Sequence, residues 1–162
     1  MDAVEFLITQ HSEMETLFAS VLDCSDADSR KRLFVDAADR LTTHITSEEQ
    51  VFYPAVRANC TEDILLESLE EHLSLKRLLA DLLDLHPSEP TFEAKFKVLK
   101  EQSEHHHKEE EEHLFPDVKK LLDATQREAL GQAMAALQAQ LQAEGRPREA
   151  VTDQTGVAAP LD

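Results

Sequence analysis

Apolar residues recur along the chain at intervals of three and four, the spacing that lines one face of an α-helix. Val4, Leu7, Ile8, Phe18, Val21 and Leu22 form such a stripe and predict a helix over 3–23. Ser25-Asp26-Ala27-Asp28-Ser29 supplies a loop and an N-cap, since short oxygen-bearing side chains accept from the open N–H groups of a first turn. A second helix is expected over 29–58, with Ala38, Leu41, Ile45, Phe52 and Ala55 on its apolar face. Thr61 is placed to cap a third, which ends near His86-Pro87. After the turn Pro87-Ser88-Glu89-Pro90-Thr91 a fourth runs over 92–122, with Phe92, Phe96, Leu99, Leu114 and Leu121 in its stripe. Long amphipathic helices on short loops become antiparallel neighbours. The pattern therefore predicts an all-α protein, an up-down-up-down four-helix bundle over 1–122. Thr125-x-x-Glu128 reads as a capping box that opens an additional C-terminal helix over 123–145. From Arg146 no apolar period survives, so 146–162 is expected to be a flexible, disordered tail, free to dock a protein partner.

The pattern repeats itself. The segment from Gln10-His11 to Asp23 matches Glu71-His72 to Asp84 at an offset of 61 residues, and His44 to Pro54 matches His106 to Pro116 at an offset of 62. A histidine, a Glu-Glu pair four and five residues later, and a proline keep their places in both copies of the second segment. Two helical hairpins of one design, facing each other, make a pseudo-twofold bundle.

The repeated polar residues interrupt the apolar stripes. His44 and Glu48 lie inside the second stripe, His106 and Glu110 inside the fourth, His11 between Ile8 and Phe18, and His72 between Leu69 and Leu79. A buried carboxylate without a partner costs several kcal/mol or is neutralised by a shift in its pKa. Two carboxylates among four imidazoles can instead be compensated by cations. His and Glu at i and i+4 stand one turn apart on the same face, so both can reach one ion. Two metals sharing two carboxylate bridges satisfy this set, and mixed imidazole and carboxylate ligands suit iron, with zinc or manganese as substitutes.

Composition narrows the classes. Three glycines and six prolines in 162 residues favour long helices. A net charge of −17 argues against nucleic-acid and anionic-membrane partners, which would repel it. The acidic start leads into no apolar run of signal-peptide length, and no stretch approaches the ~20 apolar residues of a membrane span. Cys24 and Cys60 form no CxxC pair and read as small buried residues of a reducing compartment, so the cytoplasm is the expected setting.

The succession of His11, then His44-x-x-x-Glu48-Glu49 with Tyr53-Pro54, then His72, then His106-x-x-x-Glu110-Glu111 with Phe115-Pro116 resembles the hemerythrin-like cation-binding domain. The resemblance implies a non-haem diiron centre with His11, His44, Glu48, His72, His106 and Glu110 as metal ligands. It departs from the oxygen-carrying members at Lys76, where those have a further ligand histidine. This similarity to the six-ligand bacterial branch implies peroxide breakdown, nitric-oxide chemistry or another response to oxidative stress, with O2, H2O2 or NO as the small-molecule partner. Iron or oxygen sensing, or iron storage without turnover, is the alternative. Among the remaining residues, Glu49 and Glu111 are placed to contact ligand histidines. Glu15 mirrors Lys76 and reads as a rim charge, His113 as a polar residue at the bundle end, and His105 and His107 as solvated or seam residues.

Overall fold

A computed structural model describes all 162 residues. The elements are α1 (Ala3–Asp23), α2 (Ala27–Ser47), α3 (Tyr53–Ala55), α4 (Glu62–Leu83), α5 (Pro90–Glu109), α6 (Phe115–Leu121) and α7 (Ala124–Glu144). Five-residue π-helical segments, Glu48–Phe52 and Glu110–Leu114, join α2 to α3 and α5 to α6. The long helices α1, α2, α4 and α5 make the expected four-helix bundle, and α7 packs on α1 and α2.

The core divides into two apolar clusters. One holds Met14, Phe18, Phe34, Leu41, Leu75, Leu79, Phe92 and Phe96. The other holds Val4, Leu7, Phe52, Tyr53, Leu65, Leu69, Leu114 and Phe115. α1 and α4 run from one cluster to the other with His11 and His72 between, while α2 and α5 lie in the first cluster and reach the second through their π segments. The result is a polar layer buried between two apolar ones. Three residues assigned to the stripes lie outside this core: Ile8, Ala55 and Leu121 are exposed.

The π segments have a local cause. A proline has no N–H to donate and its ring crowds the carbonyl four residues earlier. Before Pro54 and Pro116 the helix widens, so Tyr53 N–H donates to the Glu48 carbonyl and Phe115 N–H to the Glu110 carbonyl, five residues back. The same widening therefore begins at a repeated glutamate in each half.

The cap of α2 falls within the expected loop Ser25–Ser29, and that of α7 differs from expectation. Asp26 caps α2 by accepting from Ser29 N–H, which starts the helix at Ala27. Asp123, with Gln126, forms the capping box of α7, so Thr125 falls within the first turn. Glu128 instead meets the N-terminal amine of Met1 at 3.2 Å. Thr61 braces the preceding turn, accepting from Ala58 N–H and donating to the Val56 carbonyl. Cys24 is half-buried and Cys60 exposed, and neither forms a disulfide, so neither serves as a core residue.

The expectation of a disordered tail is corrected. Residues Pro147–Asp153 form a 3-10 helix whose Val151 is buried in the first cluster. Arg148 donates to Asp39 at 2.9 and 3.2 Å, Arg77 to the Thr155 carbonyl at 2.8 Å, and Arg57 to the Leu161 carbonyl at 3.0 Å. Bundle arginines satisfy carbonyls of a segment too polar to show an apolar period, so the segment lies along the bundle instead of hanging free for a partner.

α7 lies close against the N-terminus of α1. A Cβ at Gly131 would stand 2.5 Å from the Met1 carbonyl oxygen and 3.0 Å from Ala3 N, both backbone atoms. Gly131→Ala should gain the ~1 kcal/mol of better helix propensity and lose more, towards the upper end of the ~1–3 kcal/mol typical of overpacking. The expected net loss lowers the melting temperature of the metal-free protein, by roughly 2–4 °C per kcal/mol at this size. A neutral or higher melting temperature would contradict this seating of α7.

Candidate metal centre

The six predicted residues meet in the polar layer. His44 and His72 bring Nε2 to 3.2 and 3.3 Å from Glu48 Oε1. His106 and His11 bring Nε2 to 3.5 and 3.4 Å from Glu110 Oε1. Each glutamate is thus met by a histidine of its own helix, one turn earlier, and by one from a neighbouring helix. All six side chains are buried. Three groups bring potential ligand atoms within 4.8 Å of one another: His11, His44, Glu48 and Glu110; Glu48, His72 and His106; and His11, His44 and His107.

The rings are aimed by hydrogen bonds at their far nitrogens. His11 Nδ1 pairs with Glu111 Oε2 at 2.9 Å, and His72 Nδ1 with Glu49 Oε2 at 3.0 Å. His44 Nδ1 pairs with Gln10 Oε1 at 2.9 Å, and His106 Nδ1 with Glu71 Oε1 at 3.0 Å. These contacts place the N–H on Nδ1 and leave Nε2 with a free lone pair facing the glutamates, the arrangement a metal-binding imidazole needs. Sequence reasoning found Glu49 and Glu111 and missed Gln10 and Glu71. The signal was there: each directly precedes a repeated histidine, at corresponding positions of the two halves.

Electrostatics make the layer unsatisfied by protein alone. His11 Nε2, His44 Nε2, both oxygens of Glu48 and Oε1 of Glu110 are buried without hydrogen-bond partners. Burial, and then the charge of Glu110, pushes the Glu48 carboxyl well above the usual carboxylate range. Two facing carboxylates cannot both ionise cheaply in apolar surroundings. Burial holds His44 well below, and His72 below, the ordinary imidazole range, which favours the neutral form that ligates. The donor set of soft-to-intermediate imidazoles and hard carboxylates fits divalent or trivalent transition ions, which would supply the missing positive charge.

Tyr53 adds a hydroxyl to this layer. It donates to Glu110 Oε2 at 2.9 Å and lies 3.3 and 3.4 Å from Nε2 of His72 and His106. Burial, then the Glu110 and Glu48 charges, push its pKa well above that of a free phenol, so it keeps its proton. Lys76 is buried and donates to Glu49 Oε1 at 2.8 Å. The residue in place of a further histidine thus steadies the carboxylate that aims His72. Burial alone would raise Glu49, but His72 and Lys76 outweigh it and hold the carboxyl below its usual range.

Of the residues set aside, Glu15 and His105 are exposed, and His113 is exposed with Glu109 and Glu112 beside it. His107 departs from expectation. It is buried, its ring stacked on His11 with centroids 3.9 Å apart and planes 8° from parallel. The outer wall of the layer is a cleft of about 400 Å³ between α1 and α5, at whose base lie His11, Ser103 and His107. Glu15, Glu104, Glu111 and Glu112 line it, with Lys108 as the one cation.

Comparison with known proteins agrees with this architecture. The profile of the hemerythrin HHE cation-binding domain matches residues 2–118. The crystal structure of a hemerythrin HHE cation-binding domain-containing protein from Mycobacterium kansasii superposes with a TM-score of 0.80, at 25% identity, over 95% of this chain and 99% of that one. A protein of Nostoc sp. strain PCC 7120 described as a DNA nickase is 27% identical over 142 residues, 88% of this chain. The chain spans only 40% of that relative's length. No helix is long and apolar enough to cross a membrane. With a matching profile over most of its length, a shared bundle and a buried histidine-glutamate layer suited to cations, the chain belongs to the hemerythrin HHE cation-binding domain family.

Proposed function

We propose that His11, His44, Glu48, His72, His106 and Glu110 hold two iron ions, and that the centre reacts with a small neutral oxidant, O2, H2O2 or NO, with peroxide breakdown as the leading activity. The observation that carries this reading is the convergence of unpartnered Nε2 and carboxylate oxygens, each imidazole held from behind at Nδ1. Bound iron would supply electron transfer and Lewis-acid polarisation of the oxidant. The chain's own contribution is access and proton placement. An acidic cleft admits small neutral molecules and opposes anions. Tyr53 holds a proton at its hydroxyl, 2.9 Å from Glu110 Oε2, inside the buried layer.

A sensing role is the second reading, favoured by one contact chain. Gln138 of α7 donates to Ser47 Oγ at 2.9 Å and exchanges hydrogen bonds with Gln10, which aims His44. Occupancy of the centre could therefore be felt by α7. A role on DNA, suggested by the Nostoc relative's description, draws no support from a chain of charge −17 that covers less than half of that protein.

Elemental analysis of iron-loaded protein should give two ions per chain, and a reproducible value of one or none overturns the dinuclear centre. Loading should raise the melting temperature by mass action, about 2.7 kcal/mol at a hundredfold excess over Kd. Glu48→Ala or Glu110→Ala should weaken metal binding ~10-fold or more, whereas Glu109→Ala, at the half-exposed neighbour, should change it little. Equal losses at Glu109 and Glu110 would contradict the assigned ligands.

Peroxide consumption by the iron-loaded protein should be measurable by oxygen evolution or peroxide assay, and should fall when His72 or His106 is replaced by Ala. Exposed to air, the reduced protein should oxidise in one direction. Repeated cycles of oxygen and vacuum that return the starting spectrum would make it a carrier instead, and metal-dependent partner binding without peroxide turnover would favour the sensor.

A further inference from the structure

Of the four histidines that turn Nε2 into the layer, three rest Nδ1 on a carboxylate, and His44 alone rests it on an amide, Gln10 Oε1. A carboxylate only accepts, so an Nδ1 facing one carries the N–H and Nε2 keeps its lone pair. An amide offers an oxygen on one side and an NH2 on the other. Turned by 180°, Gln10 would donate to Nδ1 and leave the His44 proton on Nε2. Glu48 Oε1, 3.2 Å from that nitrogen, gives such a proton an acceptor. An imidazole protonated on Nε2 has no lone pair there for an ion.

A closed circuit of hydrogen bonds prevents the turn. Gln10 and Gln138 of α7 face each other amide to amide. Gln10 Nε2 donates to Gln138 Oε1 at 2.6 Å and Gln138 Nε2 to Gln10 Oε1 at 3.0 Å, so neither can turn without the other. Gln138 Nε2 also donates to Ser47 Oγ at 2.9 Å, and the Ser47 hydroxyl donates to the His44 carbonyl at 2.9 Å. Ser47 and Gln138 are both buried. A carbonyl oxygen can only accept, so it sets the direction of every link from Ser47 through Gln138 and Gln10 to the ring. Reversing the circuit would require Ser47 to leave that carbonyl and turn its hydrogen to Gln138. The other half has Glu71 where this one has Gln10, and needs no such partner. α7 packs on α1 and α2, the hairpin that carries the amide.

On the reading that His44 Nε2 binds a metal, we propose that Gln138 is a positioning residue that fixes the His44 proton on Nδ1 through Gln10. α7 begins at Ala124, beyond the residues 2–118 that match the family profile. The added helix thus supplies the half-centre at His44 with the polarity that carboxylates give the other three histidines.

The test reads the tautomer directly, in the metal-free full chain with isotope-labelled histidine rings. Long-range proton–nitrogen NMR correlations, recorded in mildly alkaline buffer where imidazoles are neutral, distinguish N–H at Nδ1 from N–H at Nε2. The parent should show His44 protonated on Nδ1. In Gln138→Leu, an apolar side chain of similar size, the His44 signals should move to the Nε2–H form or to a mixture, while those of His11, His72 and His106 stay. Gln138→Glu should keep the parent pattern, because a carboxyl in either protonation state holds the Gln10 amide in its present direction. Gln10→Glu in the Gln138→Leu background should restore Nδ1–H, because a carboxylate on His44 needs no help from α7. Calorimetric titration should show one of two Co(II) affinities falling about 10-fold or more in Gln138→Leu and recovering in the double variant. Ser47→Ala opens the circuit without touching α7 and should release the tautomer as well, which keeps the test available should circular dichroism show the leucine variant unfolded. Nδ1–H at His44 in the parent, Gln138→Leu and Ser47→Ala alike would reduce Gln138 to packing and overturn the inference, while two bound Co(II) ions leave the centre standing. Nε2–H at His44 in the parent would overturn it outright. Binding of fewer than two ions by the parent would instead overturn the centre, with the tautomers deciding the role of Gln138 on their own.

Discussion

The constraint on which the structure depends is the burial of two carboxylates, Glu48 and Glu110, in one layer between apolar clusters. Side by side, away from water, they oppose each other's ionisation, and burial adds to the effect. Hydrogen bonds to the protein relieve only part of this, since both Glu48 oxygens and one of Glu110 have no partner. Positive charge between them is the natural complement. The bundle keeps the arrangement because the layer is clamped from both sides: α1 and α4 carry residues of both apolar clusters, and α2 and α5 carry those of the first and pass through their π segments to the second.

The clamp is built by a rule used four times. The residue before the histidine on α1 and α4, Gln10 or Glu71, aims the histidine of the paired helix, His44 or His106. The residue after the glutamate at the start of each π segment, Glu49 or Glu111, aims the remaining two, His72 and His11. A π segment lets the chain accommodate Pro54 or Pro116 and begins at Glu48 or Glu110, so the proline, the widened turn and the buried carboxylate form one unit in each half. Duplication gives the layer its pseudo-twofold frame.

Function draws on the places where the two halves differ. His44 is held by a neutral amide, the other three histidines by carboxylates, and that amide is in turn held by Gln138 of α7. Tyr53 enters the layer from one half, while the corresponding Phe115 of the other has no hydroxyl and lies against His11. Lys76 braces Glu49, where the first half has the exposed Glu15. The cleft opens beside His11 and His107, with no counterpart at His72. The repeated cage of histidines and glutamates thus has unequal surroundings in its two halves.

Much of this was legible in the chain itself. The stripes of apolar residues dictated four amphipathic helices and a fifth, because helical periodicity is local, and the residues breaking those stripes converged as expected because buried polar groups must find partners. The repeat also marked Glu49 and Glu111. Other features needed the fold. Asp123 rather than Thr125 caps α7, and Glu128, the far member of the alternative box, pairs with the Met1 amine from 127 residues away. The segment after Arg146 has no apolar period, yet it is held by Arg57 and Arg77 and by the bond of its own Arg148 to Asp39, long-range pairings that no local pattern encodes. His107 stands 100° from His106 on a helix, which on an isolated helix points it away from the site. α5, however, packs against both α1 and α4, so two successive side chains both face inward. The sequence by itself determined which residues had to be buried together; the packing of α5 between two neighbours decided how many imidazoles that burial gathered.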